Sequence, residues 1–429
     1  MLRQGTFAAD LLYLRPENPN QTYTSFQPNP TPPAGYRYDE ISAEALIQRA
    51  SANNGRLVLP DGINYRVLVL PNQEAMTPAL LEKIRDLTQA GATVLASGPH
   101  PRNSPGLQDF PRCDDAVLKS GLEIWGDADG TNVTEHALGQ GRLIWGRPLR
   151  KVLADLAVPA DFQSDAPLNW IHRTLGDAEI YFVANPSNGL RTAVCSFRVS
   201  GKQPELWNPE TGEQRNLPEF SETTDRTVVP LRFESVESWF VVFRHPVGRA
   251  TGENNFPEYQ TVAAITGPWE LRFPPKWGAP ASATLTNLIS WSDSENDGVK
   301  HFSGTATYRT TFDLSGAKQN TKNSRFFLNL GNVQVMARVK LNGRDCGIAW
   351  KPPYRVDITD AACIGMNSLE IQVANLWPNR MIGDAALPEG KRFTWSSWEQ
   401  FKTNSSLLPS GLLGPVTLTA TGKAVVGAN

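Results

Sequence analysis

Arg66-Val67-Leu68-Val69-Leu70, then Thr77-Pro78-Ala79-Leu80-Leu81-Glu82-Lys83-Ile84-Arg85-Asp86-Leu87, then Thr93-Val94-Leu95-Ala96, reads as strand, helix and strand. The first run is apolar on both faces, the pattern of a strand covered from both sides in a parallel sheet. Thr77 is placed to cap the helix and Pro78 to fill its first position. Leu80, Leu81, Ile84 and Leu87 then form one apolar stripe, and Gly91 ends it. Working outward, residues 9–14 predict a strand, 44–50 a helix capped by Ser42, 56–59 and 142–145 further strands, and 149–156 a closing helix. Strands alternating with helices predict an open α/β domain over residues 1–164.

Past Pro159 the pattern changes. Strand-like runs at 179–183, 193–199, 227–231 and 238–243, with Asn208-Pro209-Glu210-Thr211-Gly212 as a turn, predict a small β-sandwich over 165–246. Residues 247–259 are rich in Gly, Pro and Asn and read as a linker. Further strands at 269–273, 304–312, 325–330, 337–341 and 369–373 follow, with Asn342-Gly343 as the strongest hairpin dipeptide. They predict a jelly roll over 260–422. The fold class is therefore multidomain, α/β followed by all-β. At roughly 150 residues per domain, 429 residues accommodate about three domains.

Forty-one basic against 43 acidic residues give a net charge of −2, so no basic footprint points to nucleic acid. No apolar run approaches the roughly 20 residues that span a bilayer, and no membrane partner is expected. Cys113, Cys195, Cys346 and Cys363 are far apart and form no C-x-x-C pair; they read as free, mostly buried thiols. The first residues lack an apolar stretch of signal-peptide length. Either the product stays in the cytoplasm or its N-terminus lies upstream. Export to periplasm or medium follows only if it is part of a longer exported enzyme.

The chemistry-bearing motifs are mostly missing. There is no G-x-S-x-G or G-x-C-x-G elbow, no P-loop, and no G-x-G-x-x-G after a strand; Gly139-Gln140-Gly141 precedes its strand. Ser97 and His100 share one loop without an orienting third group. Cys113 stands beside Asp114 and Asp115, which disfavour a thiolate. Acidic turns at 127–130 and 293–297 could offer oxygens to calcium, but neither completes an EF-hand, and they read as solvated turns, with no metal site assigned. The sequons at Asn20, Asn132 and Asn404 are matched equally by chance.

What stands out is an aromatic cluster. Trp350, Tyr354, Trp377, Trp395 and Trp398 are interleaved with Asn375, Asn379, Arg380, Asp384 and Lys391. An indole packs on the apolar face of a pyranose while amides and charges bind its hydroxyls. Trp350, Tyr354, Trp377, Asn379, Arg380, Trp395 and Trp398 are thus the candidate carbohydrate-binding residues, with core packing as the competing role of each tryptophan. Asp384, Glu389 and Glu399 are the acids nearest the cluster, and nothing in the sequence ranks them as catalytic.

Residues 339–347 (Val-Lys-Leu-Asn-Gly-Arg-Asp-Cys-Gly) and 350–357 (Trp-Lys-Pro-Pro-Tyr-Arg-Val-Asp) resemble a glycoside-hydrolase sugar-binding, galactose-binding-like jelly roll. Residues 373–384 (Val-Ala-Asn-Leu-Trp-Pro-Asn-Arg-Met-Ile-Gly-Asp) and 407–416, with 2–5, 9–13 and 55–71, resemble the end of the α-L-rhamnosidases of glycoside hydrolase family 106. In that family the front half corresponds to a flavodoxin- or amidotransferase-like α/β domain following a catalytic (β/α)₈ barrel. The resemblance implies barrel carboxylates as acid and base, and calcium in the barrel. None of those residues has a counterpart here, so no catalytic residue and no cofactor is assigned to this chain. The expected role is the accessory part of an enzyme acting on rhamnosides in plant or microbial polysaccharide. Its partner would be a catalytic barrel, in cis or from a split gene. The alternative is a freestanding carbohydrate-binding protein without chemistry.

Overall fold

Leu11–Leu14 is buried at every position, as a strand covered on both faces must be. It lies in a six-stranded sheet ordered Tyr38–Ile41, Leu11–Leu14, Val67–Leu70, Thr93–Ala96, Gly141–Trp145, Glu135–Leu138. The first five strands run parallel and the last closes the edge antiparallel. On one face, Leu12, Leu14, Leu68, Leu70 and Val94 pack with Leu80, Ile84, Val117 and Ile124 from helices. On the other, Leu11, Tyr13, Val67, Val69 and Leu95 meet Val152 and Leu153. The computed structural model describes residues 1–17, 26–248, 254–315, 317–318, 325–421 and 425–426. Asn20, residues 249–253 of the expected linker and the last residue of the expected jelly roll lie outside the described residues.

The helix starts follow local chemistry. Ser42 Oγ accepts from Ala45 N at the head of Ala43–Arg49, and Thr77 Oγ1 accepts from Leu80 N at the head of Pro78–Gln89. A further helix, Arg112–Trp125, was not legible in the sequence, and it lifts Cys113 out of the expected loop onto a buried first turn. Its buried stripe is Cys113, Val117, Gly121, Ile124 and Trp125, and no side-chain cap at Pro111 marks its start. Gly121 is there for space: a Cβ would come within 3.1 Å of the His100 side chain and 3.2 Å of the Pro101 carbonyl. The strand expected at 56–59 forms the middle of a separate antiparallel sheet, Ser51–Asn53, Arg56–Val58 and Asn64–Tyr65.

Two antiparallel sheets follow. One is ordered Thr6–Phe7, Asn169–Leu175, Ala178–Ala184, Ser238–Pro246, Lys202–Trp207, Gln214–Asn216; the other Phe162–Ser164, Arg191–Phe197, Thr227–Phe233, Ser221–Glu222. Thr227–Phe233 buries every second residue, as a strand with one covered face must. Rings join the two sheets: Phe197 lies 4.9 Å from Tyr181 and 5.3 Å from Phe243.

Beside those rings sits a buried charged network. His172 Nδ1 is 2.9 Å from Asp161 Oδ2, and its Nε2 is 2.9 Å from Glu179 Oε2. The Tyr181 hydroxyl donates to Asp161 Oδ1 at 2.7 Å, and the Tyr181 ring stacks on the imidazole at 3.9 Å. Arg198 donates to both oxygens of Asp10 and lies 3.6 Å from Asp161 Oδ1. Burial pulls the His172 pKa down, but the hydrogen bonds and charges of Asp161 and Glu179 outweigh it and lift it to about 9. Burial pushes the Asp161 pKa up, and His172, Arg198 and Tyr181 more than reverse that, leaving it below its ordinary value.

The chain divides into two compact units, Met1–Asn255 and Phe256–Asn429. The second is built on a six-stranded antiparallel sheet, Ser282–Leu285, Trp269–Arg272, Thr305–Asp313, Met366–Ala374, Met336–Leu341, Arg344–Ala349. A four-stranded sheet, Tyr259–Ala264, Thr417–Thr421, Phe326–Asn329, Arg355–Asp357, completes it. Leu271, Tyr308, Leu328, Val339, Ile371 and Leu418 share one core. Asn342 and Gly343 turn the hairpin with φ of +52° and +80°, the backbone their dipeptide favours. The described fold is mostly β, with few helices. None of the described helices is long and apolar enough to cross a membrane.

Candidate carbohydrate-binding site

Pro378–Ala385 is a short helix entered through Trp377, with Pro378 at its first position. Its buried face is mostly polar: Asn379, Arg380, Gly383 and Asp384 beside Ile382. That composition hides the helix from an apolar-periodicity reading. Asn379 is spent internally, its Nδ2 donating to the Leu408 carbonyl at 2.7 Å and its Oδ1 accepting from Leu408 N at 2.8 Å. Arg380 and Asp384 are only 4 % and 3 % exposed. Arg380 Nε and Asp384 Oδ1 approach to 3.1 Å without hydrogen-bond alignment, an ion-pair contact that leaves both atoms without a hydrogen-bond partner. Burial lowers the Arg380 pKa, and the Asp384 charge opposes the shift.

The other Asp384 oxygen organises the next loop. Oδ2 accepts from Phe393 N at 3.1 Å, Thr394 N at 2.7 Å and the Thr394 hydroxyl at 2.6 Å. The Arg380 guanidinium lies 4.7 Å from the Phe393 ring centroid. One buried carboxylate and one buried guanidinium therefore fix the segment that carries Trp395, which is 86 % exposed, and Trp398, 69 % exposed. Ser396 Oγ donates to the Trp398 carbonyl and accepts from Trp398 N, bracing the loop.

The two indoles line a groove of about 780 Å³ together with Glu389, Arg392, Glu399 and Lys402. Arg392 reaches Glu399 at 3.2 Å. Flat apolar faces beside charged heads suit a pyranose: rings cover its C–H face, and heads bond its hydroxyls. Of the sequence candidates, only Trp395 and Trp398 line this groove, with Asn379 and Arg380 serving the helix that supports it. Trp377 is half exposed and pairs with Trp277 at 5.5 Å. Trp350 is exposed just past Arg344–Ala349, and Tyr354 packs against the core. Arg392 and Lys402 escaped the sequence reading, because isolated surface cations carry no signal until the loop folds around them.

Replacing Asp384 by alanine removes three accepted hydrogen bonds and leaves Arg380 a buried unpaired charge. The expected cost is about 3 kcal/mol, the lower end for removing one partner of a buried ion pair, read as a lower urea midpoint. Faster hydrogen exchange at Phe393 and Thr394 should accompany it.

Among the described residues, no group of three or more His, Cys, Asp or Glu stands together to hold a metal ion. The expected acidic turn spends its carboxylate locally: Asp129 Oδ1 accepts from Thr131, Asn132 and Val133 backbone N–H groups, which drives its pKa far down. The calcium that the resemblance implies belongs to the barrel, and no step below passes through it.

Residues 1–221 match the family model described as alpha-L-rhamnosidase of glycoside hydrolase family 106. Residues 289–403, which hold the helix and most of the groove, match a glycosyl hydrolase 2 galactose-binding domain-like model. A solved rhamnosidase from Novosphingobium sp. PP1Y is 33 % identical with a TM-score of 0.85, and the match covers 98 % of this chain and 39 % of that one. A Formosa agariphila protein provisionally named a beta-glucuronidase is 24 % identical over 97 % of this chain and 56 % of its own length. The chain thus spans less than two thirds of either relative. With residues 1–221, more than half of its length, matched by the family model, the chain belongs to the α-L-rhamnosidase family, glycoside hydrolase family 106.

Proposed function

We propose that this chain is the accessory, non-barrel part of an α-L-rhamnosidase-type glycoside hydrolase acting on rhamnose-containing glycosides or polysaccharides. The observation that carries this is coverage: 98 % of the chain superposes on 39 % of a rhamnosidase. The sheet inventory supports it, because parallel pairing among the described strands is confined to five strands of one open sheet. In this reading residues 1–164 form the amidotransferase-like domain, save that Thr6–Phe7 and Phe162–Ser164 pair into the sheets of the β-sandwich of 165–246, with 247–259 the linker and 260–422 the jelly roll. The partner is a catalytic barrel, in cis or from a split gene, that supplies the acid and base. Turnover by the chain alone and with that barrel tests the division of labour.

The second unit's part is to hold carbohydrate. Trp395 and Trp398 stack on the sugar, and Arg392, Glu389, Glu399 and Lys402 bind its hydroxyls. Trp350, Tyr354 and Trp377 lie outside the groove lining and extend the aromatic surface available to a longer chain, while Asn379 and Arg380 position the helix. The same exposed indoles favour the second reading, a freestanding binding protein. Isothermal titration of the full chain with rhamnose-containing oligosaccharides is expected to give saturable binding. Trp395→Ala with Trp398→Ala should weaken it by at least about tenfold, the scale of 1.4 kcal/mol. Unchanged affinity in that double variant would remove the groove from the account.

A further inference from the structure

The strand order of the parallel sheet reverses between Leu11–Leu14 and Val67–Leu70. From the first strand the chain crosses to Tyr38–Ile41 on one side, then returns to Val67–Leu70 on the other. In open α/β sheets, ligands bind in the crevice outside the carboxyl ends of the strands at such a reversal. A cavity of about 230 Å³ occupies this place. Tyr13 and Leu14 end the first strand and Pro16 follows it, Pro71 and Asn72 follow the returning one, and Phe26, Gln27 and Asn29 line the rest.

This lining is tied to the sheet. The Tyr13 hydroxyl donates to the Pro30 carbonyl at 2.6 Å, and Ser97 Oγ donates to the Asn29 carbonyl at 3.2 Å. Ser97 directly follows the strand Thr93–Ala96, so the segment carrying Phe26 and Asn29 is held from two strand ends. Phe26, two pyrrolidines, Leu14 and the buried Tyr13 supply apolar surface, and three side-chain amides supply donors and acceptors.

Charge decides the ligand class. Among the described residues no carboxylate, ammonium or guanidinium lines the cavity, and the Arg15 guanidinium, 5.3 Å from the Phe26 ring centroid, is paired with Glu40 at 3.2 Å. The nearby head of helix Pro78–Gln89, where an anion would ordinarily sit, is already taken. Glu17 accepts from Thr77 N at 2.8 Å and from the Thr77 hydroxyl at 2.9 Å. The protein's own carboxylate holds the position that a phosphate would use. The volume falls below the roughly 300–1,000 Å³ of sites for larger ligands, which leaves room for one ring.

We propose that this crevice is a second carbohydrate site, taking a single neutral sugar ring whose hydroxyls meet Gln27, Asn29 and Asn72 and whose C–H face meets Phe26 and the Pro16 and Pro71 rings. It stands independently of the groove in the second unit.

The test uses the full chain carrying Trp395→Ala and Trp398→Ala, so that the groove contributes no binding. L-Rhamnose, D-galactose, D-galacturonate and inorganic phosphate are titrated separately while the amide signals of Gln27 and Asn72 are followed by NMR. Saturable shifts with a neutral sugar and none with phosphate are expected. Asn29→Leu with Asn72→Leu should weaken the neutral sugar by at least about tenfold at an unchanged melting temperature. Phe26→Ala serves the same purpose should the leucine variant not fold. No saturable shift with either neutral sugar, equal response to phosphate or galacturonate, or affinity untouched by the crevice variants would overturn the proposal.

Discussion

Asp161→Ala is expected to cost the first unit about 3–5 kcal/mol, the scale for removing one partner of a buried ion pair. Asp161 is 2 % exposed and serves three groups: His172 at 2.9 Å, the Tyr181 hydroxyl at 2.7 Å and Arg198 at 3.6 Å. Truncation leaves an imidazolium facing only Glu179 and strands the Tyr181 hydroxyl in an apolar ring cluster. Glu370→Ala makes the comparison. Glu370 bonds Arg309 at 2.7 Å on an exposed strand face, where loss of an ion pair costs at most about 1 kcal/mol. Hydrogen exchange under rising urea reports the first at the amides of Asn169–Leu175 and the second at those of Met366–Ala374. Equal effects of the two substitutions would show that the buried network contributes no more than a surface pair.

The same network gives the first unit a stability that falls toward alkaline pH. His172 has its pKa raised from an ordinary 6.5 to about 9. The folded state therefore holds a proton that the unfolded chain releases at lower pH. The stabilisation is fully present below about pH 6.5 and is lost as pH rises through about 9. A shift of that size corresponds to about 3 kcal/mol. Asp161 acts in the opposite direction: its folded pKa is depressed, so its contribution holds above its ordinary value of 3.8 and is lost as acid protonates it. The groups facing His172 are Asp161, Glu179 and Tyr181, with Arg198 and Asp10 behind them. Melting temperature measured from pH 6 to 10 is expected to fall across that window in the native chain, and to fall much less in His172→Gln. A flat profile in the native chain, or the same slope in the variant, contradicts a charged His172.

Short-range chemistry was readable and long-range chemistry was not. Thr77-Pro78 announced its helix, and Asn342-Gly343 its hairpin, because each depends on the backbone preferences of two adjacent residues. Pro378–Ala385 went unread because its buried face uses Asn, Arg, Gly and Asp, which only tertiary partners make comfortable, and Arg112–Trp125 because no side-chain cap marks its start. Lys202–Trp207 was hidden the same way: Gln203, Pro204 and Glu205 are all buried in it, with a register shift at Gln203/Pro204. At the groove, residue type correctly singled out tryptophans. Composition could not tell that Trp395 and Trp398 face the groove while Trp377 pairs with Trp277, nor that Asn379 and Arg380 are consumed beneath it. The His172 network joins residues 10, 161, 172, 179 and 198, which no local pattern connects.

Hydrolysis of 4-nitrophenyl α-L-rhamnoside by the purified 429-residue chain addresses the division of labour most directly. The expected result is no turnover by the chain alone, and turnover once a (β/α)₈ barrel of the same family is supplied with it. Release of nitrophenol by the chain alone, abolished by Glu399→Gln, would place the catalytic acids inside these residues and contradict the accessory role.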